Sequence, residues 1–330
     1  MRVVVVGLGI QGRKRLAVAG PDVVATVDPV APGATYRAIE AVPLDRFDAA
    51  IICTPDQPKL ELLRYLLARR KHVLVEKPLL APDAEPLHEL ALLARQAQAA
   101  CYTAYNHRFE PNLVRAKRAL EAGAIGPVYL ARAFYGNGTA LDVKRSAWRD
   151  HGAVVLADLG SHLLDLVLFL FGPIEERFAL WSAQRFENRA IDHVLFGVSG
   201  GRPALALEGA LVSWRNTFTL DVFGQRGSVH VHGLCKWGPS RFLLRRRVWP
   251  SGRPDEEVCT EERADPTWAL EYEHFARLCA QGGTNLAHDV WINGVLNGLA
   301  PSLVSMEMAA ANPAVRGPSF AALMAARSSA

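Results

Sequence analysis

The stretch "RVVVVGLGIQG", residues 2–12, decides the fold. Four successive valines with no polar alternation read as a strand covered on both faces. The strand runs straight into Gly7, Leu8, Gly9, Ile10, Gln11 and Gly12, and "QGRKRLAVAG" then reads as a helix. Strand, glycine turn and helix form the context in which G-x-G-x-x-G holds a dinucleotide. Gly7 permits the tight turn, Gly9 lets backbone N–H groups approach a pyrophosphate, and Gly12 lets helix pack closely on strand. The helix N-terminus favours the phosphate charge. A tight turn without a ligand is the plainer alternative.

The rhythm continues outward from there. "DVVATVDP" is a second strand that ends on Asp28. An acid at that position suits a ribose 2′-hydroxyl and repels a 2′-phosphate, so NAD is expected, and NADP only through a basic residue elsewhere. "DAAIICTP", "KHVLVEKP" and "ACYTAYN" read as further strands, separated by the helical stretches "KLELLRYLLARR" and "DAEPLHELALLARQAQA". This alternation predicts a parallel sheet with helices on both faces. Beyond about residue 120 the pattern changes to long alternating segments, "GPVYLARAFYG", "RPALALEGALVSW", "TFTLDVFGQRGSVHVHG" and "SRFLLRRRVWP", as in antiparallel strands. One long apolar helix is expected over about 154–171, stopped by Gly172-Pro173. The expectation is an α/β chain. Residues 1–120 form a Rossmann-type dinucleotide-binding domain, and residues 121–330 an α+β domain with a large, open, mostly antiparallel sheet.

Composition narrows the classes. The 330 residues suffice for two domains, and 50% apolar with 21% charged residues is ordinary for a globular chain. A net charge of +4 does not demand an anionic polymer, and "RFLLRRRVWP" reads as a solvated strand edge, so no nucleic acid is expected. The five cysteines lie far apart with no CxxC pair, which predicts reduced thiols in the cytoplasm. The greasiest run, residues 163–171, is interrupted by Asp165 and falls short of the ~20 residues that cross a bilayer. The N-terminal apolar run is too short for a signal peptide core.

Several short motifs bring chemistry to the carboxyl ends of the parallel strands, where such sheets bind ligands. "CTPD" places Thr54 and Pro55 there, lining a cofactor groove or simply turning the chain. "VEKP" delivers Glu76 and Lys77, either as a surface ion pair or as groups beside the nicotinamide, with Pro78 fixing the chain direction. "YNHRFEP" presents Asn106, His107 and Arg108, and "SAWRD" precedes the long helix. On that helix Asp158, Ser161, His162 and Asp165 share about a 100° arc among valines, leucines and phenylalanines. Such a patch either closes on itself, a core histidine satisfied by a carboxylate one turn away, or lines a cleft. No second histidine or cysteine stands at ligand spacing, so no metal is expected.

The series GLGIQG, CTPD, HVLVEKP, YNHRF, WR, DLGSHLLD resembles the glucose–fructose oxidoreductase, inositol dehydrogenase and MocA family, over residues 2–170. The resemblance implies NAD(P)-dependent oxidation or reduction of a carbinol carbon of a sugar, nucleotide sugar or cyclitol. It implies Lys77 as active-site lysine, His162 as acid–base group and Asp158 as their catalytic neighbour. Asn106, Arg108, Trp148, Arg149, Ser161 and Asp165 fall on the substrate side. The chain departs from the family in having Pro58-Lys59 where relatives often carry a histidine after the TP turn. It also has "GAVV" where a glycine triplet is usual. Two other readings stay open. One is an NAD(H)-sensing regulator without turnover. The other is an enzyme for a non-sugar such as a linear tetrapyrrole or aromatic diol, favoured if a hydrophobic wall lacks Asn106 and Arg108. An open sheet with one apolar face predicts a homodimer or homotetramer packed through it.

Overall fold

The computed structural model describes residues 1–146 and 149–311, so Trp148 lies outside the described residues. The chain starts with β1 (Val3–Val6), α1 (Ile10–Ala19), β2 (Val23–Val27), β3 (Ala49–Ile52), α2 (Lys59–Leu67), β4 (His72–Glu76), α3 (Glu85–Ala97), β5 (Cys101–Ala104) and α4 (Pro111–Glu121). The five strands form one parallel sheet in the order β2-β1-β3-β4-β5. The unbroken valine run now has its reason. Val4 and Val6 pack into the cluster that holds Leu63, Leu66, Leu87 and Leu90 of α2 and α3, and Val3 and Val5 face Ala19 of α1 on the other side.

The second part comprises β6 (Val128–Gly136), α5 (Ala140–Lys144), α6 (Ser161–Phe171), β7 (Ala179–Gln184), β8 (His193–Val198), β9 (Ala204–Ala210), β10 (Thr217–Gly224), β11 (Gly227–His232), β12 (Ser240–Arg246), β13 (Asp255–Glu261), α7 (Thr267–Gln281) and α8 (Leu286–Ala311). Its eight-stranded sheet runs β13-β12-β11-β10-β6-β9-β8-β7, antiparallel except for the central pair β6 and β9. One face packs on α4 and α6, burying Leu113, Leu163, Leu166 and Val167. The other face exposes Leu130, Trp181 and Val258. Among the described residues no helix is long and apolar enough to cross a membrane.

Three features differ from the sequence expectation. β12 is not an edge: β13 covers it, and Arg245 and Arg246 reach Glu256 and Glu257 across the pair at 2.7 and 3.3 Å. The acidic β13 lacks an apolar face and becomes a strand only by pairing with a basic neighbour. The long helix is not uniform either. Residues 156–160 form a π-helical turn before α6, a widening common at functional sites. Gly160 accommodates it, because a Cβ there would lie 2.8 Å from Leu156 Cδ1. Finally, α7 and α8 return to the first sheet, where Phe275 and Leu286 are fully buried in its two cores.

Candidate active site

The glycine loop has the geometry of a cradle. Gly7 sits at φ +91°, where L side chains are strained, and a Cβ there would lie 2.7 Å from Cys53 O. A Cβ on Gly12 would lie 1.8 Å from Gly7 O, so only glycine lets α1 close on the turn. Above Gly9, by contrast, a Cβ would meet nothing within 4 Å, and no side chain caps the N-terminus of α1. Ile10, at the start of α1, and Val30, two residues after Asp28, are 78% and 84% exposed. Two bare aliphatic side chains and a buried acid are groups that suit the adenine and ribose of a dinucleotide. Asp28 accepts N–H bonds from Leu8 (2.8 Å), Val30 (2.9 Å) and Ala31 (2.8 Å), and the bond from Leu8 leads in holding its carboxyl below the usual range. Thr54 Oγ1 is buried with no hydrogen-bond partner among the described residues, which suits a ligand at that turn. Pro55 and Gln11 lie exposed beside it. The residues present therefore fit a nicotinamide dinucleotide.

Glu76 and Lys77 do not pair with each other. The Glu76 carboxylate turns into the protein and accepts from Arg15 Nε at 2.6 Å, while Arg15 Nη2 holds Glu271 at 2.7 Å. This buried cluster fastens α1, the end of β4 and α7 together. Lys77 turns the opposite way, and the Lys77–Pro78 bond is cis. Its Nζ donates to a carboxylate oxygen of Asp158 and to the Asp158 carbonyl at 3.1 Å. That carbonyl lies in the π turn and also accepts the Ser161 hydroxyl at 3.2 Å. Arg149 lies 3.8 Å from the other Asp158 oxygen. Burial pushes the Asp158 carboxyl up, but the Lys77 and Arg149 charges outweigh it and hold the group low. Lys59, where relatives often carry a nearby histidine, is buried and bridges Asp56 and the Pro78 carbonyl at 2.7 Å each. It ties the TP turn to the end of β4.

His162 lies beside Lys77 and Asp158 without the carboxylate partner the sequence suggested. Asp165 is one turn further on and is held by Arg108 through three contacts of 2.7–2.9 Å. The His162 Nδ1 is buried and has no partner among the described residues. Its ring stacks on His107 at 4.1 Å between centroids. Burial, then the neighbouring His107, Lys77 and Lys236, keep the imidazole well below its ordinary pKa, so it is neutral at neutral pH.

The expected substrate residues divide. Arg149 reaches the catalytic candidate Asp158 at 3.8 Å. Arg108 and Asp165 satisfy each other, Asn106 donates to Thr267 Oγ1 at 2.8 Å, and Ser161 is fully buried on a backbone carbonyl. Around His162 stand instead His107 and Tyr135, with Lys236 Nζ 3.1 Å from His107 Nε2 and 3.2 Å from the Tyr135 hydroxyl. Of these only His107 stood in a quoted motif at a strand end; Tyr135 lies near the end of β6 and Lys236 in the turn after β11, with no local signal. The outer face of that sheet separately brings Asp221, His230 and His232 together with ligand atoms within 4.8 Å. Arg132 holds Asp221 there and Arg245 abuts His230, two cations that oppose a metal ion.

Comparison with known proteins agrees with this geometry. Residues 1–105 match the family model described as an oxidoreductase family with an NAD-binding Rossmann fold, and residues 113–230 match the GFO/IDH/MocA C-terminal domain. Inositol 2-dehydrogenase 1 of Saccharopolyspora erythraea is 37% identical over 146 residues, 42% of this chain. The match spans 40% of that relative's length. The solved structure of levoglucosan dehydrogenase in complex with NADH superposes with a TM-score of 0.76 at 17% identity, covering 93% of this chain and 97% of the other. UDP-N-acetylglucosamine 3-dehydrogenase of Acidithiobacillus ferrooxidans gives a TM-score of 0.73 at 20% identity, covering 92% and 99%.

Proposed function

The chain belongs to the Gfo/Idh/MocA oxidoreductase family, and from that premise we propose that it is an NAD(P)-dependent dehydrogenase of a carbinol carbon in a sugar, nucleotide sugar or cyclitol. The observation that carries the proposal is the convergence of Lys77, Asp158 and a neutral His162 at the carboxyl end of β4, beside the glycine cradle. The dinucleotide, when bound, supplies hydride transfer at its nicotinamide. Backbone N–H groups at the start of α1 bind the pyrophosphate, and Asp28 takes the ribose hydroxyls, which favours NAD over NADP. Lys77 Nζ, anchored on Asp158, holds the substrate hydroxyl oxygen and stabilises alkoxide character. The neutral imidazole of His162 takes the hydroxyl proton in oxidation and returns it in reduction. Asp158 keeps Lys77 in place and, with Arg149, sets the local charge.

The polar cluster of His107, Tyr135 and Lys236 supports a hydroxylated substrate over a flat aromatic diol or tetrapyrrole, even though Asn106 and Arg108 are engaged elsewhere. Lys77 and His162 side by side support an enzyme over an NAD(H)-sensing regulator. The relatives named above, an inositol dehydrogenase and two sugar dehydrogenases, support the same substrate range. Five unpaired cysteines support the cytoplasm as its place of action. The exposed Leu130, Trp181 and Val258 support self-association through the outer face of the large sheet. The test is NAD reduction followed by absorbance across cyclitols, aldoses, uronates and nucleotide sugars. Turnover of at least one is expected; tight NADH binding with no turnover of any would favour the regulator.

A further inference from the structure

Lys236 lies in a short 3₁₀ turn, Cys235–Trp237, just after β11. Its ammonium donates to His107 Nε2 and the Tyr135 hydroxyl and lies 4.4 Å from the Trp237 ring centroid. None of these groups is acidic. Among the described residues no carboxylate stands within ion-pair distance of it. The acids nearest to it are engaged elsewhere. Glu110 accepts from the Cys235 N–H and thiol, and Asp265 accepts from the Thr267 N–H at the start of α7. The other groups that face Lys236 are the cations Lys77 and Lys14 and the neutral His162, and Asp158 is already held by Lys77. Burial pushes the Lys236 pKa down to about 8 against the pull of Asp265 and Glu110, neither of which touches the ammonium.

An ammonium has three N–H donors, and here two are used on neutral partners. A partly buried charge in that state is stabilised by an anion on its open side. The two partners of Lys236 in turn contact the proposed proton acceptor: His107 stacks on His162 at 4.1 Å and Tyr135 lies 5.7 Å from it between centroids. We propose that Lys236 anchors an oxyanion of the substrate, a carboxylate or a phosphate, so that the enzyme acts on an acidic sugar derivative and not on a neutral polyol. The proposal rests on the dehydrogenase reading for the word substrate, but the anion site is testable without turnover.

The test is a titration of the NADH-loaded protein, and of the protein alone, with D-glucuronate, UDP and myo-inositol, read by tryptophan fluorescence. At least one anion is expected to bind roughly tenfold to a hundredfold more tightly than inositol, the range of a charge-assisted hydrogen bond. Lys236→Met should erase that margin, and Lys236→Arg should keep most of it. NADH affinity should stay level in both variants. Preference for glucuronate alone marks a carboxylate, and preference for UDP alone a phosphate. In the wild type the margin should shrink above about pH 8, whereas Lys236→Arg should hold it. Equal binding of anions and inositol by the wild type overturns the proposal. So does an equal loss for all three ligands in Lys236→Met, the signature of a lysine that merely positions His107 and Tyr135. Anion binding with no turnover of any carbinol would leave the site standing and defeat the dehydrogenase reading instead.

Discussion

Replacing Lys77 by methionine separates a catalytic lysine from a structural one. The stem is preserved and the charge is lost, so Asp158 keeps Arg149, 3.8 Å away, as its ion-pair partner and the more distant charge of Lys236. The side chains of Lys77 and Asp158 are 14% and 30% exposed, between a surface pair and a fully buried one. The stability cost should accordingly fall at about 1–3 kcal/mol, above the ~0–1 kcal/mol of surface pairs and below the ~3–5 kcal/mol of a broken buried pair. The Gly7–Gly12 loop and Asp28 are untouched, so NADH affinity should hold within roughly threefold. Turnover should fall by roughly 10² to 10⁴, the range for losing a positioned proton-transfer group. His162→Ala should do the same, and the double variant should lose less than the product of the two, since both serve one proton path. Thermal melts, NADH titration and steady-state rates on one preparation give all three numbers. A melt lowered as expected with turnover within about threefold of wild type would refute the reasoning, leaving Lys77 as a strut for the π turn.

Two glycines in one loop should fail differently. Gly12→Ala forces a Cβ to 1.8 Å from Gly7 O and should lower both the melting temperature and NADH affinity. Gly9→Ala meets nothing within 4 Å and should weaken NADH binding while costing under ~1 kcal/mol of stability. Equal melts for the two variants would contradict this geometry. The Arg15 cluster predicts a pH effect, because two carboxylates share one guanidinium and Glu271 Oε1 has no partner among the described residues. Burial raises the Glu271 carboxyl to about 7 against the pull of Arg15. A raised carboxyl contributes its stability fully below its unfolded value of about 4.5 and loses it as pH climbs to about 7. Glu271→Gln should therefore gain on the wild type between pH 4.5 and 7, by up to about 3 kcal/mol, in urea melts; a constant gap would count against it. Self-association through the large sheet predicts a light-scattering mass of two or four chains at micromolar concentration, and a mass of one chain would exclude it.

What was legible in the sequence was local. The Gly7–Gly12 turn, Asp28 and the arrival of Lys77 at a strand end depend on neighbours in the chain, and period and turn chemistry suffice to read them. The fate of Glu76 was not legible, because its partner Arg15 is 61 residues away and the third member, Glu271, stands 256 residues from Arg15. Asn106, Arg108 and Asp165 were the right residue types for a polar cleft. Their direction was fixed by the 3₁₀ turn after β5 and the packing of α6 on it, which no spacing encodes. The π turn at 156–160 changed the helical register on which the Asp158–His162–Asp165 arc was drawn. α7 had readable punctuation, Asp265-Pro266 before it and Gly282-Gly283 after it, but its place against α1 is tertiary. Lys236 and Tyr135 carry no motif and join the site only because β6 and β11 end beside His107.

The central claim is that this cleft moves a hydride between a carbinol carbon and a nicotinamide. The most direct measurement incubates the protein with NAD and sugars, uronates and cyclitols deuterated at their carbinol carbons, followed by mass spectrometry of the reduced cofactor. NADH carrying deuterium, formed by the wild type and not by the Lys77→Met, His162→Ala double variant, is the predicted result. Light NADH, or no NADH from any of these substrates with a protein shown to bind NAD, would contradict the account.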